Sequence, residues 1–371
     1  MALKEICGCV HLHTTFSDGE CGYDEFICAA KNAALDYICV TDHMNLGGRG
    51  TEWEGLRGSL LVHTGYEHED DGNKNHYLAL GVSEVAAGQA DPQEYINNIK
   101  NMGGAGFIAH PNECRCAMKG LPPPYPWTRW DVTGFNGIEI WNQVSDWIEH
   151  LDRLRQNPLR MSLRLFFPNR FLRNAPKELL AKWDEMNLTR FVSAIGGVDA
   201  HNRKIKIGPF TYVIFPINVE LRGIRTHLFA DEAVWKIPAD GKADSIDAER
   251  MNRALVDAMR NGRGFISNYS RGDARGCKIF LSDNNGAIQY PGLWKDAQPP
   301  LSLPLTMNVK LTRKAKIMLI RNGKVIKSAS SKNAGWAITE PGVYRIEARR
   351  GGSAWIYSNP FPVGQYPIRP E

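Results

Sequence analysis

The residues best suited to chemistry in this 371-residue chain are histidines and carboxylates in three short groups. His11-Leu12-His13 is followed by Asp18, Thr41-Asp42-His43 forms the second group, and Asp199-Ala200-His201 the third. Imidazole with carboxylate is the ligand set of divalent Zn, Mn or Fe. Three further candidates, Glu67, His76 and His110, lie near the ends of apolar runs. Glu139, in Gly137-Ile138-Glu139-Ile140, also points from a strand end, either to support the ligands or as a capped surface acid. Asp42 is read as orienting His43 or a water, or as a donor to a leaving group. Arg115, close to His110, is a candidate anchor for an anion, with Arg49 and Arg203 as weaker versions. His63, His150 and His227 have no partners in sequence and read as structural. His68 faces away from Glu67 and reads as pocket rim or exposed.

These groups need a scaffold that brings distant segments together. Side chains alternate along a strand, so His11 and His13 share a face, as do Asp199 and His201 if extended. Short apolar runs alternate with helical patterns through about residue 270. The strands are Ile6–His13, Tyr37–Thr41, Leu60–Thr64, His76–Val82, Gly106–Ala109, Gly137–Trp141 and Phe191–Gly196. Between them, Tyr23–Leu35, Pro92–Met102 and Leu179–Met186 read as helices, and Ile246–Asn261 closes the series. Such alternation predicts an α/β fold of parallel strands, a barrel or a doubly wound sheet. In a barrel the strands' C-terminal ends open on one face, where active sites gather.

The arginine-rich stretch Asp152–Arg173 reads as a solvated helical excursion, or alternatively as a cationic lid over an anionic substrate. Past residue 270 the pattern becomes β-rich, with Asn322-Gly323 a strong hairpin signal. The expected division is 1–270 for the barrel and 271–371 for a small antiparallel β-sandwich of immunoglobulin-like type.

Composition narrows the function. A net charge of +5 is mild for this length and does not point to a nucleic-acid polymer. No apolar run approaches a bilayer span, so no membrane partner is expected. The N-terminal stretch has no apolar signal core, which with eight cysteines predicts reduced thiols and a cytoplasmic protein. Neither G-x-x-x-x-G-K-[ST] nor a helix-opening G-x-G-x-x-G is present, so nucleotide-driven chemistry is not indicated.

The ordered motifs resemble those of the PHP (polymerase and histidinol phosphatase) superfamily. The matching residues are His11-Leu12-His13 with Ser17-Asp18-Gly19, Thr41-Asp42-His43, Gly65-Tyr66-Glu67 then His76, Ala109-His110-Pro111, and Gly197-Val198-Asp199-Ala200-His201. The resemblance implies a distorted seven-stranded (β/α)7 barrel with up to three metals. One metal would take His11, His13, Glu67 and Asp199. A second would share Glu67 and add His76 and His110, and a third would use Asp18, His43 and His201. Asn75 stands where relatives have glycine. Gly208 to Val213 and the tail segments Gly342–Glu347 and Trp355–Pro360 are similar to the CehA/McbA-type metallohydrolase branch, whose named examples cleave aryl carbamates. The expected activity is a metal-dependent phosphoesterase on a small anionic substrate, using a hydroxide shared by two metals. The alternatives are a carboxylic or carbamate ester or amide hydrolase at the same metals, or a metal-binding interaction module.

Overall fold

The computed structural model describes residues 2–113, 123–149, 158–207, 209–236, 245–294 and 301–364. Its centre is a closed ring of strands. β1 (Leu3–Leu12) pairs in parallel with β2 (Tyr37–Val40), and β2 with β4 (Leu60–Thr64). After a break at Gly65, β5 (Tyr66–His68) continues the ring to β6 (Tyr77–Leu80), β7 (Ala105–Ile108), β8 (Gly137–Asn142) and β9 (Ser193–Ala200). β9 then pairs back with β1. A short β3 (Gly55–Arg57) leans on β4.

The ring departs from a strict β/α alternation. β6 runs antiparallel to both β5 and β7, because the loop from β5 is too short for a crossover helix and returns as a hairpin. The remaining steps are parallel, and helices cover their outer side. Tyr23–Asn32 buries Tyr23, Phe26, Ile27 and Ala30, which recur every three to four residues. Pro92–Asn101 is capped by Asp91, whose carboxylate accepts the Gln93 N–H at 3.0 Å. Ser245–Arg260 presses Met251, Leu255 and Met259 into the barrel wall, each fully buried. Burying a side chain of that size contributes about 1.5–3 kcal/mol.

The sheet does not end with the ring. The first half of β1 pairs antiparallel with β12 (Ile224–Asp231), β12 with β13 (Gly264–Asn268), and β13 with β19 (Ser353–Ser358). The strands after residue 277 are antiparallel around a separate apolar core that includes Ile279, Met307, Ile317, Ile346 and Trp355. A single long strand, β16 (Leu305–Arg321), turns at Asn322-Gly323 into β17 (Lys324–Ile338). Both turn residues have positive φ, as such a hairpin requires. β18 (Gly342–Arg350) is buried on both faces over most of its length. It lies against the barrel helix Lys177–Thr189, and Arg345 there grips Asp184 through two bonds of 2.6 and 2.7 Å.

Candidate metal centre

The side chains converge at the C-terminal end of the ring. Glu67 is the hub. Its Oε2 lies 3.0 Å from His11 Nε2, 3.3 Å from His13 Nε2 and 3.4 Å from His43 Nδ1. Its Oε1 lies 3.0 Å from both His76 Nδ1 and His110 Nε2. Asp199 Oδ1 sits 3.5 Å from His11, 3.4 Å from His13 and 3.6 Å from His201. Asp18 Oδ1 is 3.2 Å from His201 Nε2 and 3.5 Å from His43 Nε2. All nine ligand candidates read from the sequence fall into four overlapping groups, each able to hold an ion: His13/Asp18/His43/His201, His11/Glu67/His110, His11/His13/Asp199 and His43/Glu67/His76.

Strand alternation alone does not produce this convergence. His11, His110 and Asp199 all have left-handed backbones, with φ of 70°, 23° and 59°. The β1–β9 pairing shifts register between Val10 and Leu12, and β8–β9 shifts between Glu139 and Trp141. These bulges aim side chains inward at the ring's rim, at a backbone cost of order 1–3 kcal/mol each. Asn75 keeps the left-handed backbone at φ 52°, a conformation asparagine accepts better than most residues. Its presence in place of glycine therefore leaves the His76 turn intact.

The buried polar atoms fit a cation. Both ring nitrogens of His13 are buried and without a hydrogen bond, as are His110 Nδ1 and Asp18 Oδ1. Five imidazoles around one carboxylate exceed what two oxygens can satisfy by hydrogen bonding. Burial opposes ionisation of Glu67, yet His11, His76 and His43 hold its carboxyl well below the usual range. Burial likewise opposes the charged forms of His43 and His110, but Glu67 with Glu69 and Glu113 pushes each up to about 9. The carboxylates thus demand positive charge. His13 goes the other way, kept neutral by burial and by His201 and His43, and a neutral ring is the ligating form.

Support comes from behind. Glu139 Oε1 meets His11 Nδ1 at 2.9 Å, and its Oε2 accepts the His110 backbone N–H at 2.6 Å. A Cβ on Gly197 would lie 1.5 Å from that Oε1, so the glycine of the last motif makes room for Glu139. Asp42 turns away from the centre. Its oxygens accept from Thr14 N and Oγ1, each at 2.7 Å, and from Ser17 Oγ at 2.6 Å, which fixes the loop carrying Asp18. With both oxygens occupied, it is not placed to donate to a leaving group. Arg203 bonds Asp18 Oδ2 at 2.5 Å. Arg49 instead borders a separate cleft of about 740 Å³ beside His63 and the helix Ser245–Arg260, which none of the ligand candidates lines. Arg115 and His150 lie outside the described residues, as do Arg153 and Arg155 of the suspected lid. Arg164 is buried and bonds the Asp146 carbonyl at 3.1 Å, and neither it nor Arg170 nor Arg173 lines the centre. His68 does face away from Glu67, but it is fully buried, 4.2 Å from the Tyr95 ring, and is neither rim nor exposed.

Some neighbours were not foreseen. Glu69 Oε1 is 2.5 Å from His43 Nδ1. Its spacing of two from Glu67 on an extended segment was the available signal. Asn142 donates to Glu139 at 3.0 Å and to Asp199 at 3.4 Å, and Tyr125 stacks 4.9 Å from His76. The centre opens into a cavity of about 460 Å³, whose far wall is Val144, Trp147, Ile148, Ile214 and Phe215. Glu220 also lines it, and burial together with the Asp199 charge raises its carboxyl well above the ordinary range.

Comparison with known proteins agrees with the motifs. The PHP domain family model matches residues 10–157, so the PHP resemblance is borne out over that span. No curated protein matches the chain. Among solved structures, the chain is similar to a two-domain protein of Bacteroides vulgatus containing a predicted PHP-like metal-dependent phosphoesterase, at 13% identity and TM-score 0.45, covering 97% of this chain and 96% of that one. A candidate metal-dependent phosphoesterase from Bifidobacterium adolescentis matches at 16% identity and TM-score 0.30, over 52% of this chain and 86% of that one. An amidohydrolase from Chromobacterium violaceum, with bound sulfate and no metal, matches at 14% and TM-score 0.29, over 54% and 92%.

Proposed function

We propose that this protein is a metal-dependent hydrolase, and that its substrate is a small phosphate ester. The observation that carries the reading is the convergence of nine ligating side chains, several of them buried without hydrogen bonds, on one rim of the ring. His11, His13, Glu67 and Asp199 would hold one ion, Glu67 with His76 and His110 a second, and Asp18, His43 and His201 a third. Zinc, manganese and iron all suit such donors. Ions there would acidify a water to the nucleophile and neutralise charge at the reacting centre. With two or three divalent ions bound, their charge would exceed that of the three ligating carboxylates, the imidazoles being neutral, which favours an anionic substrate at the ions.

The chain's own residues do the positioning. Glu139 fixes the His11 ring and the His110 backbone, Asp42 holds the Thr14–Ser17 loop, and Arg203 steadies Asp18. Trp147, Phe215 and their neighbours would take the apolar part of a substrate and exclude water. That same wall supports a second reading, hydrolysis of an aryl ester or carbamate, in keeping with the CehA/McbA-type branch. Among the described residues Arg203 is the one arginine or lysine lining the cavity, fewer than a phosphate-binding wall would usually present. The division at residue 270 into a PHP barrel and a C-terminal β-domain, and a cytoplasmic location, belong to this proposal. Among the described residues no helix is long and apolar enough to cross a membrane.

Turnover of aryl phosphates against aryl esters and carbamates, with metal content measured before and after chelation, tests the proposal. Phosphate turnover lost on chelation and restored by Mn²⁺ or Zn²⁺ is the expected result. Turnover of carbonyl substrates alone would move the reaction to the second reading. Purified protein that takes up no divalent metal would overturn both.

A further inference from the structure

We infer that the helix Pro158–Phe166 and the arginines beside it form a docking surface for an anionic lipid bilayer. The helix exposes its apolar residues to solvent. Leu159 is 71% exposed, Phe166 78% and Phe167 50%, with Leu163 and Leu165 also open. Leu159, Leu163 and Phe166 recur at intervals of four and three, so they form one stripe. A buried face would be the usual result of that pattern, yet here the face turned to the protein is held by Arg164. Its guanidinium bonds the Asp146 and Trp147 carbonyls and lies over the Trp147 and Phe171 rings. The polar side chain is inside and the apolar ones are out.

Cations border the stripe. Arg170 lies over the Phe167 ring at 5.2 Å. Arg271 bonds the Arg170 carbonyl at 2.8 Å, and Arg350 bonds the Arg271 carbonyl. Arg313 shares an open cleft with Arg271 and Arg350, and burial, then the nearby charges of exposed Arg173, Arg170 and Arg350, depress the Arg271 guanidinium. Among the described residues none of these five arginines is ion-paired to a carboxylate. Asp273 is the one acid lining the cleft, and it accepts the Arg275 backbone N–H.

Exposed aromatic and leucine side chains next to unpaired cations match a surface with apolar depth and anionic headgroups. A free anion would explain the arginines but not the apolar stripe. A second copy of the chain would bring like charges together. The expectation of no membrane partner rested on the lack of a spanning segment, and surface docking requires none.

Flotation of the intact protein with vesicles of phosphatidylcholine, with and without phosphatidylglycerol, tests this inference. Binding is expected with the anionic vesicles alone and should weaken as salt rises. Phe166→Asp should lower partitioning roughly tenfold, and Arg313→Gln by roughly fivefold. Both positions are exposed, so unchanged thermal unfolding midpoints would establish that the variants fold. Equal binding to neutral vesicles, or variants that bind like the parent, would overturn the inference. So would an absence of binding to the anionic vesicles, with self-association abolished by Phe166→Asp, or tight binding of a soluble polyanion, then identifying what the surface takes instead.

Discussion

The two ends of β1 present the same residue types in opposite conditions. Near its N-terminal end His227, on neighbouring β12, is fully buried, and every polar atom of its ring is used. Nδ1 meets Glu5 at 2.8 Å, and Nε2 meets Ser267 Oγ at 2.9 Å and Cys7 Sγ at 3.5 Å. At the other end His13 is equally buried, but both its nitrogens lack a hydrogen bond. Burial and a nearby carboxylate are common to both histidines. Satisfaction is what separates a structural histidine from one prepared for an ion.

His13→Ala should have the largest effect, abolishing turnover and removing at least one metal equivalent, as read by elemental analysis and a rate assay. Full metal content in that variant would break the distinction between the two ends. Glu139→Ala leaves all nine ligands in place and loosens His11 and His110. A loss of roughly 10–100-fold in metal affinity or rate is expected, and a wild-type profile would remove its positioning role. Glu69→Gln should change metal affinity only a few-fold. A drop as large as that of Glu139→Ala would instead place Glu69 among the ligands.

His227→Phe should leave activity untouched and act on stability alone. Burial disfavours its charged ring, but Cys7 and Glu5 push its pKa up to about 9. A folded pKa above the unfolded value of about 6.5 stabilises the fold fully below about 6.5, and that gain is lost as pH rises through about 9. Denaturant unfolding of the parent should therefore weaken across that window, by up to about 3 kcal/mol. The variant should lose that share of the slope, leaving what His43 and His110 contribute. A slope unchanged without His227 would assign the effect elsewhere.

The centre was readable because its chemistry depends on residue type. Nine ligand candidates in ordered motifs needed no coordinates, and the strand ends placed them on one rim. Two features escaped. Left-handed backbone at His11, His110 and Asp199 is set where strands distant in sequence meet at the rim, which local propensity does not encode. The apolar wall of Val144, Trp147, Ile214 and Phe215 comes from segments whose residue types carry no chemistry of their own. Element positions were legible where apolar periodicity was strong, as in Leu60–Thr64, which matches β4 residue for residue. Strand direction was not, since β6 looks the same from either end.

The pairing of β13 with β19 sets a schedule for synthesis. The 84 residues 269–352 separate the two strands. At about 5–20 residues per second, a ribosome needs roughly 4–17 seconds to make them. During that interval the outer edge of β13 has no partner, and an open strand edge invites pairing with another nascent chain. Slow elongation or a stall between residues 269 and 352 would therefore lengthen the period when this protein is most prone to aggregate.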